Sequence, residues 1–211
     1  MPLVFDQAVG TVSRLLLWDI TESESELHAA VALQPARSTR LAGMQSELHR
    51  RGFLAIRHLL AQAGYTDADL IYSPSGKPQL ADGRFISISH SHHLAGILIS
   101  DYNVGLDIEL VREKILRIAP KFLSPVELQW CATQDTTQVT LLWCVKEAVF
   151  KVKDQVGISF KDHIHTSAFS PSTWQSTAEL HWQNQIETFP IYGQLHGDYA
   201  LVYTYEPPTS V

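Results

Sequence analysis

Asp107 and Glu109 stand two residues apart in "NVGLDIELVREK" (103–114), where Val104, Leu106 and Ile108 alternate with Gly105, Asp107 and Glu109. Such alternation predicts a half-buried strand. Both carboxylates then point the same way, about 6.6 Å apart along it. Like charges held that close repel unless something positive sits between them. Oxygen ligands with no cysteine nearby favour Mg²⁺ or Mn²⁺ over Zn²⁺. A solvated strand face is the bland alternative, because a D-x-E triplet is common. "TLLWCVKEAVFKV" (140–152) adds a third carboxylate. Leu141, Leu142, Val145, Val149 and Val152 make the apolar side of an amphipathic helix. Trp143, Glu147 and Lys151 recur at i, i+4 and i+8 along one stripe. A Glu–Lys pair one turn apart is often only a surface ion pair. Three carboxylates with one ammonium also suit a metal–phosphate site, the carboxylates taking the cation and the lysine a phosphate oxygen.

Two further stretches offer anion chemistry. "SISHSHH" (87–93) places Ser89 beside His90 at a strand end. A hydroxyl, an imidazole and the N–H groups of a turn make a suitable phosphate clamp. Zinc would need more nitrogen or sulfur ligands than any recognisable spacing supplies, and His92 and His93 read as part of a polar hairpin loop. "SGKP" (75–78) has Gly76, which permits close backbone approach, and Lys77, which can meet a phosphate or an adenine edge. "SPVE" (124–127) is a helix start with Ser124 as N-cap, Pro125 at N1 and Glu127 at N3. A capping box alone accounts for that glutamate.

The elements that must position these residues follow from pattern. "RLLLWDI" reads as a buried strand, and "TESE" (21–24) resembles a capping box that opens a helix. A longer helix is predicted from Ser38 to Ala63, ended by Gly64. "SPSGKPQLADGR" is a loop by composition, and "FISIS" and "LAGILIS" are strands with "HSHH" between them. After a turn at "DYN" comes the strand of Asp107 and Glu109. Residues 113–130 are helical with an interruption at Pro120. "AELHW", "FPIYGQL" and "YALVYTY" are strands, and "EPPTSV" is a loose tail.

Composition narrows the function classes. A chain of 211 residues with 45% hydrophobic and 18% charged residues is an ordinary globular protein. Its net charge of −6 weighs against a surface devoted to nucleic acid. Two cysteines, Cys131 and Cys144, make no disulfide framework and suit a reducing compartment. The start lacks the pattern of a signal peptide, and "LLLWDI" is too short to span a bilayer. A cytoplasmic protein with no membrane partner is the expectation.

In order, "GKP", "ISISHS", "VGLDIE", "FLSPVE" and "WCVKEAVFK" resemble the motifs of the 4′-phosphopantetheinyl transferases of the long single-chain class, over residues 76–151. The resemblance implies an α+β fold of two similar halves, 1–101 and 102–211, related by a pseudo-two-fold axis. It implies an active site at their interface, with the first half binding coenzyme A and the second carrying the metal and the catalytic helix; a monomer suffices. It implies coenzyme A as donor, Mg²⁺ (or Mn²⁺) as cofactor, the serine of an apo acyl or peptidyl carrier protein as acceptor, and 3′,5′-ADP as product. Asp107, Glu109 and Glu147 match the metal ligands. Lys151 matches the lysine on the donor phosphates. Ser89 and His90 match the pair on the coenzyme A phosphates, and Lys77 the lysine beside the adenine. Arg50 or Arg51 would meet the 3′-phosphate. Glu147 or a water on the metal is the implied base, with Glu127 a second candidate. Val111 departs from relatives that carry a further acidic residue there. A metal-dependent nuclease and a non-catalytic coenzyme A or nucleotide-binding module are the rivals. Carrier proteins of this kind are acidic, so Lys114, Arg117 and Lys121, on one stripe of "REKILRIAPKFL" (112–123), are the expected docking patch.

Overall fold

A computed structural model describes residues 2–131, 135–170 and 173–206; from residue 207 on, the tail read from "EPPTSV" lies outside the described residues. The chain is α+β and divides into two compact units, Met1–Tyr102 and Asn103–Val211.

The first unit runs β1 (Leu3–Val9), β2 (Ser13–Asp19), α1 (Glu24–Ala29), α2 (Pro35–Ala42), α3 (Glu47–Gln62), β3 (Leu70–Tyr72), β4 (Pro78–Leu80), β5 (Phe85–Ser91) and β6 (Leu94–Ser100). Its strands form one antiparallel sheet in the order β1-β2-β6-β5-β4-β3. Leu54, Leu59 and Leu60 of α3 pack in one cluster with Trp18, Ile86 and Ile97 of the sheet. The second unit runs β7 (Val104–Leu110), α4 (Lys114–Phe122), α5 (Pro125–Trp130), α6 (Thr136–Lys153), α7 (Phe160–His163), β8 (Ile164–Thr166), β9 (Gln175–Trp182), β10 (Gln185–His196) and β11 (Tyr199–Tyr205). Its antiparallel sheet has the order β7-β11-β10-β9-β8. Val145, Ala148, Val149 and Val152 of α6 pack with Ala178, Phe189, Ala200 and Val202 of that sheet. Helix and sheet approach closely at Gly105, where an added Cβ would strike the Ala148 carbonyl, lying 2.8 Å from its carbon. Only glycine permits this approach, and it brings the carboxylates of β7 up to α6.

Several sequence expectations are corrected. The single helix predicted over Ser38–Ala63 is two, because α2 ends at Gly43 and Ser46 starts α3 as its N-cap, accepting from His49 N at 3.4 Å. The capping box near residue 21 lies two residues later, between Ser23 and Glu26. Pro120 does not interrupt its helix: α4 continues to Phe122, and the break falls at Leu123 and Ser124, whose extended backbone α5 needs for its cap. β4 lies inside the predicted loop because Pro78–Leu80 pairs with β3. β1 carried no sequence prediction; its mostly exposed pattern is that of an edge strand.

Candidate active site

Residues Gly105, Asp107 and Glu109 share the face of β7 that meets α6 at Gly105. Asp107 is buried, while Glu109 and Glu147 are half-buried. Lys151, one turn beyond Glu147, donates to Asp107 Oδ1 at 2.8 Å and to the Leu106 carbonyl at 2.9 Å. Burial pushes the Glu147 carboxyl up to about 7, the neighbouring charges of Asp107 and Glu109 add to the rise, and Lys151 opposes it. Glu147 thus feels both strand carboxylates and the lysine, and the four groups share one electrostatic field.

Among the described residues no group of three or more His, Cys, Asp or Glu side chains is placed to hold a metal ion. Lys151 supplies the positive charge beside Asp107. The donor set itself still fits a hard cation, being three carboxylates with no nitrogen or sulfur ligand.

Glu127 has a different environment. It is 1% exposed and Lys146 is fully buried. Lys146 Nζ donates to Glu127 Oε1 at 2.6 Å, to Oε2 at 2.8 Å, and to the Ile164 carbonyl. The Thr166 N–H donates to Glu127 Oε1 at 2.8 Å and the Ser124 N–H to Oε2 at 2.7 Å. Burial lowers the Lys146 ammonium pKa, and the Glu127 charge opposes this. The pair ties α5, α6 and β8 together. Sequence reading missed Lys146, although a signal existed: Leu142, Lys146 and Val149 share a helix face, and a lysine on an apolar face needs a carboxylate.

In the first unit, β5 extends through Ser91, so His90 lies inside a strand and the turn is confined to His92 and His93, with His92 at φ 51°. Consecutive strand residues face opposite ways. Ser89 therefore does not sit beside His90 as a loop pair would. The exposed His90 faces α3, where Gly52 leaves room for its ring; a Cβ at Gly52 would lie 3.0 Å from His90 Cγ.

His90 lines a cavity of about 350 Å³ with His49, Arg40, Arg57, Phe53 and Tyr72. The Arg57 guanidinium carbon stands 3.5 Å over the Phe53 ring, and that of Arg40 lies 5.7 Å from the Tyr72 centroid. Arg57 is 4% exposed; it bonds Asp67 and the Phe53 carbonyl, but its buried Nη2 has no acceptor among the described residues. Arg50 and Arg51 are occupied elsewhere. Arg50 pairs with Glu24 and the Met44 carbonyl, and Arg51 donates to the Glu22 and Ile20 carbonyls. Arg57 was detectable in the sequence as a charge on the apolar face Phe53–Arg57–Leu60. Lys77 lies in a turn closed by Ser73 N–H to the Lys77 carbonyl at 2.9 Å, with Gly76 at φ 93°.

The model of the 4′-phosphopantetheinyl transferase superfamily matches residues 103–204. A 4′-phosphopantetheinyl transferase, gsp, of Aneurinibacillus migulanus is 28% identical over an alignment of 148 residues that covers 67% of this chain. This chain is similar to the superfamily over that span, and to that transferase over two thirds of its own length. It spans 60% of that transferase's length. The superfamily span holds Asp107, Glu109, Glu127, Glu147 and Lys151, whereas Lys77, Ser89, His90 and the basic cavity precede it. No helix among the described residues is long and apolar enough to cross a membrane.

Proposed function

We propose that the chain transfers the 4′-phosphopantetheine group of coenzyme A to a serine of an apo acyl or peptidyl carrier protein in the cytoplasm, releasing 3′,5′-ADP. The observation that carries this reading is the shared field of Asp107, Glu109, Glu147 and Lys151 inside the superfamily span. The serine oxygen bonds to the β-phosphorus as the bond from that phosphorus to the ADP oxygen breaks. The leaving group takes the electron pair, and the serine proton passes to a base. Glu147 is the proposed base. Lys151 turns from Asp107 to a phosphate oxygen. Mg²⁺ held by Asp107, Glu109 and Glu147 would neutralise the pyrophosphate charge. Glu127 takes no proton in this reading, since both its oxygens already accept from Lys146 and backbone N–H groups.

His90 and Lys77 are the proposed contacts to the donor phosphates and adenine edge, and Ser89 reaches the donor from the other face of β5. For the 3′-phosphate, Arg40 and Arg57 replace Arg50 and Arg51, supported by the unsatisfied Arg57 donor at the cavity with His90. Lys114, Arg117 and Lys121 are exposed on α4 and are the proposed contacts to an acidic carrier. The test is intact-mass measurement of apo carrier proteins incubated with the enzyme, coenzyme A and Mg²⁺. A phosphopantetheine mass increase that EDTA abolishes is expected. No increase on fatty-acid, polyketide or peptide carriers would refute the proposal.

A further inference from the structure

The outer face of β8 and β9 gathers three side chains that the proposed reaction does not use. Ile164 and Leu180 are paired across these strands and pack in the core with α6. Alternation therefore turns His165, Glu179 and His181 to the opposite face, where His165 stands directly across from Glu179. The His165 and His181 rings meet edge to face, with centroids 4.7 Å apart and planes at 75°. Each ring has one nitrogen held by an acceptor. His181 Nε2 lies 2.8 Å from Glu179 Oε2; an ionised carboxylate only accepts, so Nε2 carries the hydrogen and Nδ1 of the neutral ring keeps a lone pair. The Asp162 backbone carbonyl accepts from the His165 ring, which leaves the other nitrogen of that neutral ring with its lone pair.

We propose that His165 and His181 are the two protein ligands of a site for a divalent transition metal of the Cu²⁺, Ni²⁺ and Zn²⁺ class, with Glu179 and the Asp162 carbonyl orienting the imidazoles and water completing the coordination. The spacing fits such a site. A metal about 2.1 Å from a ring nitrogen lies roughly 3.2 Å from the centre of that ring. Two imidazoles in neighbouring coordination positions then have centres about 4.5–5.2 Å apart, and this pair falls within that range. Rotation about χ2 turns the edge-to-face contact into converging nitrogens. It is open to His181, whose side chain is 41% exposed, and its partner Glu179 is 50% exposed and can follow. A carboxylate on one ring and a carbonyl on the other are the usual outer partners of metal-bound histidines, fixing the ring and raising its basicity. Ligand type separates this site from the carboxylates of β7 and α6, since imidazole suits borderline metals and Mg²⁺ prefers oxygen. The nearby His163 is held elsewhere, its Nδ1 accepting from the Ser159 N–H at 2.8 Å. Occupancy would also reach the core. His165 lies between Ile164, whose carbonyl accepts from Lys146, and Thr166, whose N–H donates to Glu127. A metal joining β8 to β9 would hold β8 against that buried pair.

The test is titration calorimetry of the tag-free protein with Ni²⁺ in saturating Mg²⁺, beside His165→Gln, His181→Gln and Glu179→Gln. Each histidine variant is expected to lose one equivalent of bound Ni²⁺. Glu179→Gln is expected to keep that equivalent with about tenfold weaker affinity. Cu²⁺ should bind the wild type more tightly than Ni²⁺. Ni²⁺ should also raise the urea midpoint of the wild type by more than that of His165→Gln, and midpoints in EDTA report that the variants fold. Unchanged stoichiometry and affinity in both histidine variants overturn the site. So does a wild-type protein that binds no Ni²⁺ once Mg²⁺ is saturating. A Glu179→Gln variant that binds Ni²⁺ as tightly as the wild type overturns the orienting role of that carboxylate.

Discussion

Replacing Lys146 by methionine should be among the most damaging single changes in the second unit. The substitution keeps length and apolar contacts but leaves Glu127 charged and 1% exposed. Breaking one side of a buried ion pair costs about 3–5 kcal/mol. Two backbone donors, Ser124 N–H and Thr166 N–H, remain on the carboxylate, which favours the lower end of that range. A typical domain is stable by about 5–15 kcal/mol, so the loss is a large fraction of the total. Adding Glu127→Gln should restore part of it. Glutamine removes the stranded charge, and its single oxygen can keep the Ser124 N–H of the capping box at the cost of the bond from the Thr166 N–H. The double variant is therefore expected to recover at least about 1 kcal/mol relative to Lys146→Met, as a positive coupling in a double-mutant cycle. Urea unfolding followed by tryptophan fluorescence is suited to this, because Trp130, Trp143, Trp174 and Trp182 lie in the second unit and only Trp18 in the first. A single-variant loss below about 1 kcal/mol, or strict additivity in the cycle, would refute the account of a buried pair tying α5 to α6.

Glu147 makes metal-free stability depend on pH. Its carboxyl is raised from 4.5 to about 7, so the folded state disfavours the charged form, and stability present below about 4.5 is lost as pH rises through about 7. At 1.36 kcal/mol per pH unit the full loss is about 3 kcal/mol. Urea midpoints in EDTA should fall between pH 5 and pH 8 for the wild type and fall less for Glu147→Gln; parallel midpoints in the two proteins would contradict this. Gly105→Ala should force β7 and α6 apart, since its Cβ meets the Ala148 backbone and not a flexible side-chain end. Overpacking of about 1–3 kcal/mol should lower Tm by at least about 4 °C, and an unchanged Tm would show that the helix moves freely.

Local pattern was enough for much of this protein. The alternation around Asp107 and Glu109 predicts β7, and the stripe of Trp143, Glu147 and Lys151 predicts that these three share one face of α6, because strand and helix periods act within a few residues. The Ser124–Glu127 capping box was equally legible, since it joins residues three apart. Boundaries were less so: the break between α2 and α3 depends on caps at Gly43 and Ser46 that an unbroken run of helix formers conceals.

What the tertiary structure alone decided is pairing between distant residues. Arg50 pairs with Glu24 and the Met44 carbonyl, Arg51 with the carbonyls of Ile20 and Glu22, and Arg57 holds a buried donor with no acceptor among the described residues. Glu127 reads in sequence as a cap or a base, and the fold adds Lys146, 19 residues away, as its ion-pair partner. Lys151 reaches Asp107 across 44 residues of chain. Periodicity says which way a side chain points from its own element, but not what meets it there. A carboxylate beside an ammonium and the same carboxylate in water differ in charge state and in chemistry, and only the packed fold chooses between them.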